Sequence, residues 1–236
     1  MAKHTAVKFI EELISLQSEK EREKISRYFK ADDDENKVIG VRMKHTFGLA
    51  KKFSNDMPLH EIKKLLDSPY YEVRMGAVSV MDFQVRPKSA SEEFRRARYD
   101  LYLNRHDRIN NWDFVDRAAP RVIGSYLYDY KLPRDILYDH AGSDNPWERR
   151  TAIVSTAWFI KKGELEDTYN ITELLLNDEH EYVQKAVGTW VRHAGKTDEG
   201  RLLDFLEKHA AKIQPTTLTI MMEKLDKKQK DYFRNK

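Results

Sequence analysis

The chain contains no cysteine. Disulfides, thiolate metal sites and cysteine nucleophiles are therefore excluded, and a cytoplasmic setting fits. Glycine and proline are scarce, at 9 and 7 in 236 residues, a balance that favours helices over turn-rich sheet. No run of 18 or more apolar residues is present, so no membrane-spanning helix is expected. Residues 1–15 carry Glu11 and Glu12 and lack a signal-peptide core. Also missing are a phosphate-binding Gly-x-x-x-x-Gly-Lys loop, a nucleophile elbow and a His-Glu-x-x-His zinc helix. The eight histidines are scattered, and His180, His193 and His209 stand too far apart for a local metal site. No metal and no other cofactor is expected.

What the chain has is charge: 34% of its residues are charged against 40% hydrophobic, with a mild net charge of +3. Thr5 can cap an amphipathic helix to about residue 16, with Phe9, Ile10, Leu13 and Ile14 as its apolar face. A second helix is predicted over 19–29. The run Asp32-Asp33-Asp34-Glu35-Asn36-Lys37 lacks the glycine turn and spaced ligands of a calcium loop and reads as a solvated loop. Further helices are predicted over 43–53, 70–83, 91–103, 133–140, 147–160 and 198–211, and over a tail of 216–235.

Self-similarity organises these segments. Arg74, Arg149 and Gln184 occupy equivalent places early in their helices, each preceded by an acidic or proline-containing turn. A unit of about 37 residues built this way is the mark of HEAT-like repeats. Such units cannot bury their apolar faces alone and must stack. The expectation is one all-α domain over residues 1–236, a HEAT-like solenoid of about six helix pairs with a concave face. Lys44, Lys51, Lys52, Arg117, Arg121, Arg149, Arg150, Lys161, Lys162, Lys185 and Arg192 fall on broadly corresponding helix faces. A basic concave groove of that kind suits a phosphate backbone, helped by positive helix N-termini. Solvation of charge-rich helices would place lysine and arginine similarly, so charge alone leaves the partner open.

The stretch 110–124, near the middle of the chain, is the most informative. Phe114, Val115, Ala118, Ala119 and Val122 form a helical apolar stripe, and Trp112 and Asp116 share a face one turn apart. An aromatic plane beside a carboxylate suits a reaction site; it equally suits a buried Trp with a capping Asp. Pro120 removes the donor for the Asp116 carbonyl, so the helix should kink or thin beside the carboxylate.

Asn111-Trp112-Asp113-Phe114-Val115-Asp116, followed by Pro120 and Gly124, resembles the Trp-Asp-x-Val-Asp motif of the DNA alkylation repair family, the AlkD-like helical-repeat alkylpurine DNA glycosylases. Segments 143–162 and 182–196 resemble the same family in the same order. The resemblance implies duplex DNA with alkylated bases as partner, with Trp112, Asp116 and Arg150 at the catalytic site and Arg150 able to hold a phosphate. It also implies DNA contacts from Arg149, Lys185, Arg117, Lys161, Lys162, Arg192 and Trp190, in a monomer. A base alkylated at adenine N3 or guanine N7 is already cationic and leaves readily, so the enzyme must chiefly stabilise the oxocarbenium-like sugar, which a carboxylate does. Two departures matter. Where the family carries a second groove Trp, this chain has Thr189, with Trp190 one residue later and about 100° around the helix. Asn111 stands where an aromatic is usual. A non-catalytic binder of damaged or branched DNA is therefore the second reading, and a protein-binding HEAT scaffold the third.

Overall fold

The structure, a computed structural model, describes residues 4–29 and 36–236. The acidic run Asp32-Asp33-Asp34-Glu35 lies outside the described residues. All regular structure among those described is helical, apart from one isolated bridge between Lys37 and Tyr70. No helix among them is long and apolar enough to cross a membrane.

The chain divides into two compact units, Met1–Asn110 and Asn111–Lys236. The first holds α1 (Ala6–Ile14), α2 (Glu19–Ser26), α3 (Met43–Phe53), α4 (Leu59–Leu66), α5 (Tyr71–Gln84) and α6 (Glu92–Asn104). Thr5 caps α1 by accepting from the Lys8 amide, and Ser91 caps α6 by accepting from the Phe94 amide, each satisfying an otherwise orphan donor. Helix α5 packs on α3 and α4, and α1 covers both of those. Phe9, Leu13, Phe53, Ile62 and Val78 form the fully buried centre. Glu72, wholly buried, accepts from the Ile39, Gly40 and Val41 amides at 3.0, 2.8 and 3.2 Å, so three backbone donors satisfy one charge that would otherwise be costly to bury.

The second unit holds α7 (Trp112–Ala119), a π-helical turn over Pro120–Ser125, α8 (Tyr126–Asp129), α9 (Asp135–Ala141), α10 (Pro146–Ser155) and α11 (Ala157–Lys161). It continues with α12 (Glu166–Leu174), α13 (Glu181–Thr197), α14 (Glu199–His209), α15 (Pro215–Met221) and α16 (Lys227–Arg234). Helix α10 packs against α7, α9 and α13, and α13 against α12, α14 and α15.

Three of the expected helices are built differently. The helix expected over 147–160 breaks at Thr156, because the Ser155 and Thr156 hydroxyls donate back to the Thr151 and Ile153 carbonyls, each at 2.7 Å. Pro133 lies outside the helix it was expected to open: α9 begins at Asp135, after Arg134 is tied to Asp167 and Glu164. The tail is two helices, the second opened by a reciprocal capping box between Asp226 and Gln229. Gly195 lies inside α13, where a Cβ would come within 2.4 Å of the Leu202 side chain, so glycine permits close packing of α14.

Candidate functional site

Helix α7 turns its apolar stripe inward as its spacing requires: Phe114, Val115, Ala118, Ala119 and Val122 are fully buried. The opposite face stays open, and Trp112 is 42% exposed. A buried Trp with a capping Asp is thus not what forms here. After Ala119 the chain widens into the π turn. Pro120 offers no amide to the Asp116 carbonyl, and the turn that results carries Gly124 against α10. A Cβ on Gly124 would lie 2.2 Å from the Ser155 carbonyl oxygen, so only glycine permits this approach.

The widened turn sits next to a doubly held carboxylate. Arg150 donates from Nε to Asp116 Oδ1 at 3.0 Å and from Nη2 to Oδ1 and Oδ2 at 2.8 Å each. Its remaining nitrogen, Nη1, donates to the Tyr182 carbonyl in the first turn of α13. One guanidinium thereby ties α7, α10 and α13 together. The fork that sequence reasoning assigned to a phosphate is occupied by Asp116, and only 7% of the Arg150 side chain is exposed. Asp116 remains 36% open. Loss of hydration raises its pKa above the usual carboxylate value, against the attraction and hydrogen bonds of Arg150.

Asp116, Arg150 and Lys185 are each the fifth residue after their helix's N-cap, Asn111, Asn145 or His180. Helices α7, α10 and α13 therefore present one anion and two cations at a shared register. Lys185 is exposed, pairs with Glu181, and holds its Nζ 5.5 Å from the Tyr182 ring centre.

Aromatic rings flank the ion pair. Trp112 and Tyr182 lie nearly parallel, 17° between planes and 6.3 Å between centroids. Behind Tyr182 stand Trp147 at 5.9 Å and His180 at 5.9 Å, and these two meet edge-on at 5.2 Å. Burial lowers the His180 pKa from its ordinary value. Sequence reasoning missed Tyr182 and Trp147. The signal was present: both are aromatic and both are the second residue after the N-cap of their helix.

The other expected contacts divide by what already holds them. Arg149 is committed to Asp178 and to the Ser143 and Asp144 carbonyls, so it braces the turns before α10 and before α13. Its equivalent Arg74 similarly reaches Asn36, Asn110 and the Arg108 carbonyl, and Gln184 reaches the Asp178 carbonyl. The equivalence recognised in the sequence is thus a device for fixing inter-helix turns. Arg192 pairs with Glu223, and Trp190 is half-buried against His193. Arg117 is half-buried. Lys161 and Lys162 are exposed at the end of α11 beside the Trp158 ring. Among the described residues no group of three or more His, Asp or Glu could hold a metal ion.

A protein-family model described as DNA alkylation repair enzyme matches residues 9–225. No curated protein matches the chain. Among solved structures, a predicted DNA alkylation repair enzyme from Enterococcus faecalis is similar, with a TM-score of 0.70 and 18% identity, covering 89% of this chain and 97% of that one. At that identity the likeness is one of fold.

Proposed function

Because the chain belongs to the DNA alkylation repair enzyme family, we propose that it is a glycosylase that releases cationic alkylated purines, of the 3-methyladenine and 7-methylguanine type, from duplex DNA. The observation that carries this reading is the state of Asp116: partly open to solvent, fixed by a two-point guanidinium, and one turn from an exposed Trp112. In the reaction the bond from the sugar C1′ to the base nitrogen breaks, and its electron pair leaves with the base and neutralises it. The sugar is left as an oxocarbenium-like cation. A fixed carboxylate beside C1′ stabilises that charge without having to reorganise, and water then closes on C1′ and gives up a proton. Arg150 acts on Asp116, as a positioning residue, and not on DNA. The Trp112 face suits contact with the cationic base or sugar.

We propose a stacked HEAT-like array with a basic groove as the DNA-binding frame, in a monomeric, cytoplasmic protein. Lys185, Lys161 and Lys162 are the best phosphate contacts, since they are exposed and the one carboxylate on Lys185, Glu181, is itself exposed; Arg149 and Arg192 are largely covered in their carboxylate pairs. The second reading, a relative that binds damaged or branched DNA without efficient excision, is favoured by Thr189 at the usual second Trp position and by the engagement of both Asp116 oxygens. Release of alkylated base from duplex DNA by the purified protein separates the two.

A further inference from the structure

We propose that Trp112 and Tyr182 form a stacking platform for an unpaired nucleobase, with Lys185 beside it for the adjoining phosphate, so that DNA carrying an unpaired nucleotide binds more tightly than a matched duplex. The proposal rests on the DNA-binding reading above but not on catalysis. Trp112 and Tyr182 are 42% and 37% exposed and lie against each other, so two aromatic faces meet solvent at one place. Their rings are nearly parallel, so a base stacked on one is aligned with the other. The surface is also held in place. Trp147 and His180 pack behind Tyr182, and Arg150 pins the Tyr182 carbonyl while its other nitrogens hold Asp116. A base that settled on these rings would therefore be registered against the carboxylate.

Lys185 supplies the charge. Its Nζ lies at the Tyr182 ring, and its partner Glu181 is 66% exposed, so that pair is weak and can release the lysine to a phosphate. Aromatic faces with an adjacent cation are the arrangement that binds unpaired nucleotides: every base has a face to stack, whatever its identity or charge. A paired base in a duplex already has both faces covered by its neighbours and gains nothing from the platform. Selection then follows exposure of the base face, a property distinct from the positive charge of an alkylated purine.

The test uses the full chain and undamaged DNA, so turnover does not enter. Affinity is measured by fluorescence anisotropy at one salt concentration for a matched duplex and for the same duplex with a single unpaired 2-aminopurine. The expected result is about 10-fold tighter binding of the bulged DNA, with 2-aminopurine emission quenched on binding as it stacks. Tyr182→Ala should bring the bulged DNA down to the matched-duplex affinity, and Tyr182→Phe should keep the preference. The emission change is read in the wild type, so the platform is tested even if Tyr182→Ala does not fold. Equal affinity for the two DNAs with unquenched emission overturns the platform and leaves the DNA-binding reading standing. A preference unchanged in Tyr182→Ala also overturns it. Failure to bind either DNA overturns both.

Discussion

Arg150 Nη2 lies 2.8 Å from each carboxylate oxygen of Asp116, and Arg150 Nε lies 3.0 Å from one of them. The pair sets two opposed influences on one acid: the surrounding protein strips its hydration, and the guanidinium holds its charge. Hydration loss is the larger, so Asp116 ionises above the ordinary Asp pKa.

Removing the guanidinium should therefore push that pKa higher still. In Arg150→Gln the hydration loss remains and the attraction is gone, so the Asp116 midpoint should rise above the wild-type value; Arg150→Lys, which keeps a charge but loses the fork, should fall between. A carboxyl NMR titration of Asp116 reads this directly, without DNA. The acid limb of base release should move upward in the same order, because the ionised carboxylate is the working form. An Asp116 midpoint unaltered by Arg150→Gln would show that the pair does not control the acid.

Lys185→Gln should weaken duplex binding by about 1–3 kcal/mol at low salt and reduce the slope of log affinity against log salt by about 1, as for loss of one phosphate contact. Arg149→Gln should instead lower thermal stability, since its guanidinium holds Asp178 and two turn carbonyls. Binding isotherms at several salt concentrations, beside melting curves, separate the two roles.

Gly124→Ala should destabilise the protein by about 1–3 kcal/mol, the usual cost of forcing extra atoms into a packed interior. The added methyl meets the Ser155 carbonyl oxygen at 2.2 Å, and backbone on both sides must move. A melting temperature equal to wild type would mean that the π turn relaxes freely and does not fix α7 against α10.

Tyr169 tests the second unit's interior through pH. Its hydroxyl is buried without a hydrogen-bond partner among the described residues, and burial pushes its pKa up to about 12. The folded pKa lies above the ordinary value, so stability should be intact below pH 10 and decline as pH rises from about 10 towards 12, where the unfolded chain ionises and the folded one does not. Tyr169→Phe removes the unsatisfied hydroxyl and should be neutral or stabilising by up to about 1 kcal/mol. It should also lose that alkaline decline, which denaturation followed across pH 8 to pH 12 will detect.

The helical architecture was legible because it rests on local signals: the α7 stripe, the Thr5 and Ser91 caps, and the repeat of Arg74, Arg149 and Gln184. Pro120 likewise announced the irregular turn beside Asp116, since a missing donor has only a few structural outcomes. What the sequence hid depends on contacts across about 30 residues or more of chain. The Arg150 fork has the same preference for a carboxylate as for a phosphate, and nothing local says that Asp116, one repeat earlier, fills it. The hydroxyl bonds that break the helix at Thr156 are also compatible with an unbroken one. Tyr182 is hidden for another reason: the family resemblance points to a second ring at Thr189, two turns further along α13.

The central claim is that Asp116 carries the chemistry, and the direct measurement is the single-turnover rate of base release from alkylated duplex DNA by wild type and Asp116→Asn. The amide is nearly isosteric and can still accept from Arg150. It should keep the fold, with a stability loss of about 1–3 kcal/mol from the weakened charged hydrogen bonds, and should retain DNA affinity. Release should fall about 10²–10³-fold, the usual loss when one electrostatic stabiliser of a transition state is removed. Equal rates of release by a folded, DNA-bound wild type and Asp116→Asn would contradict the account and leave Asp116 as the brace of a π turn.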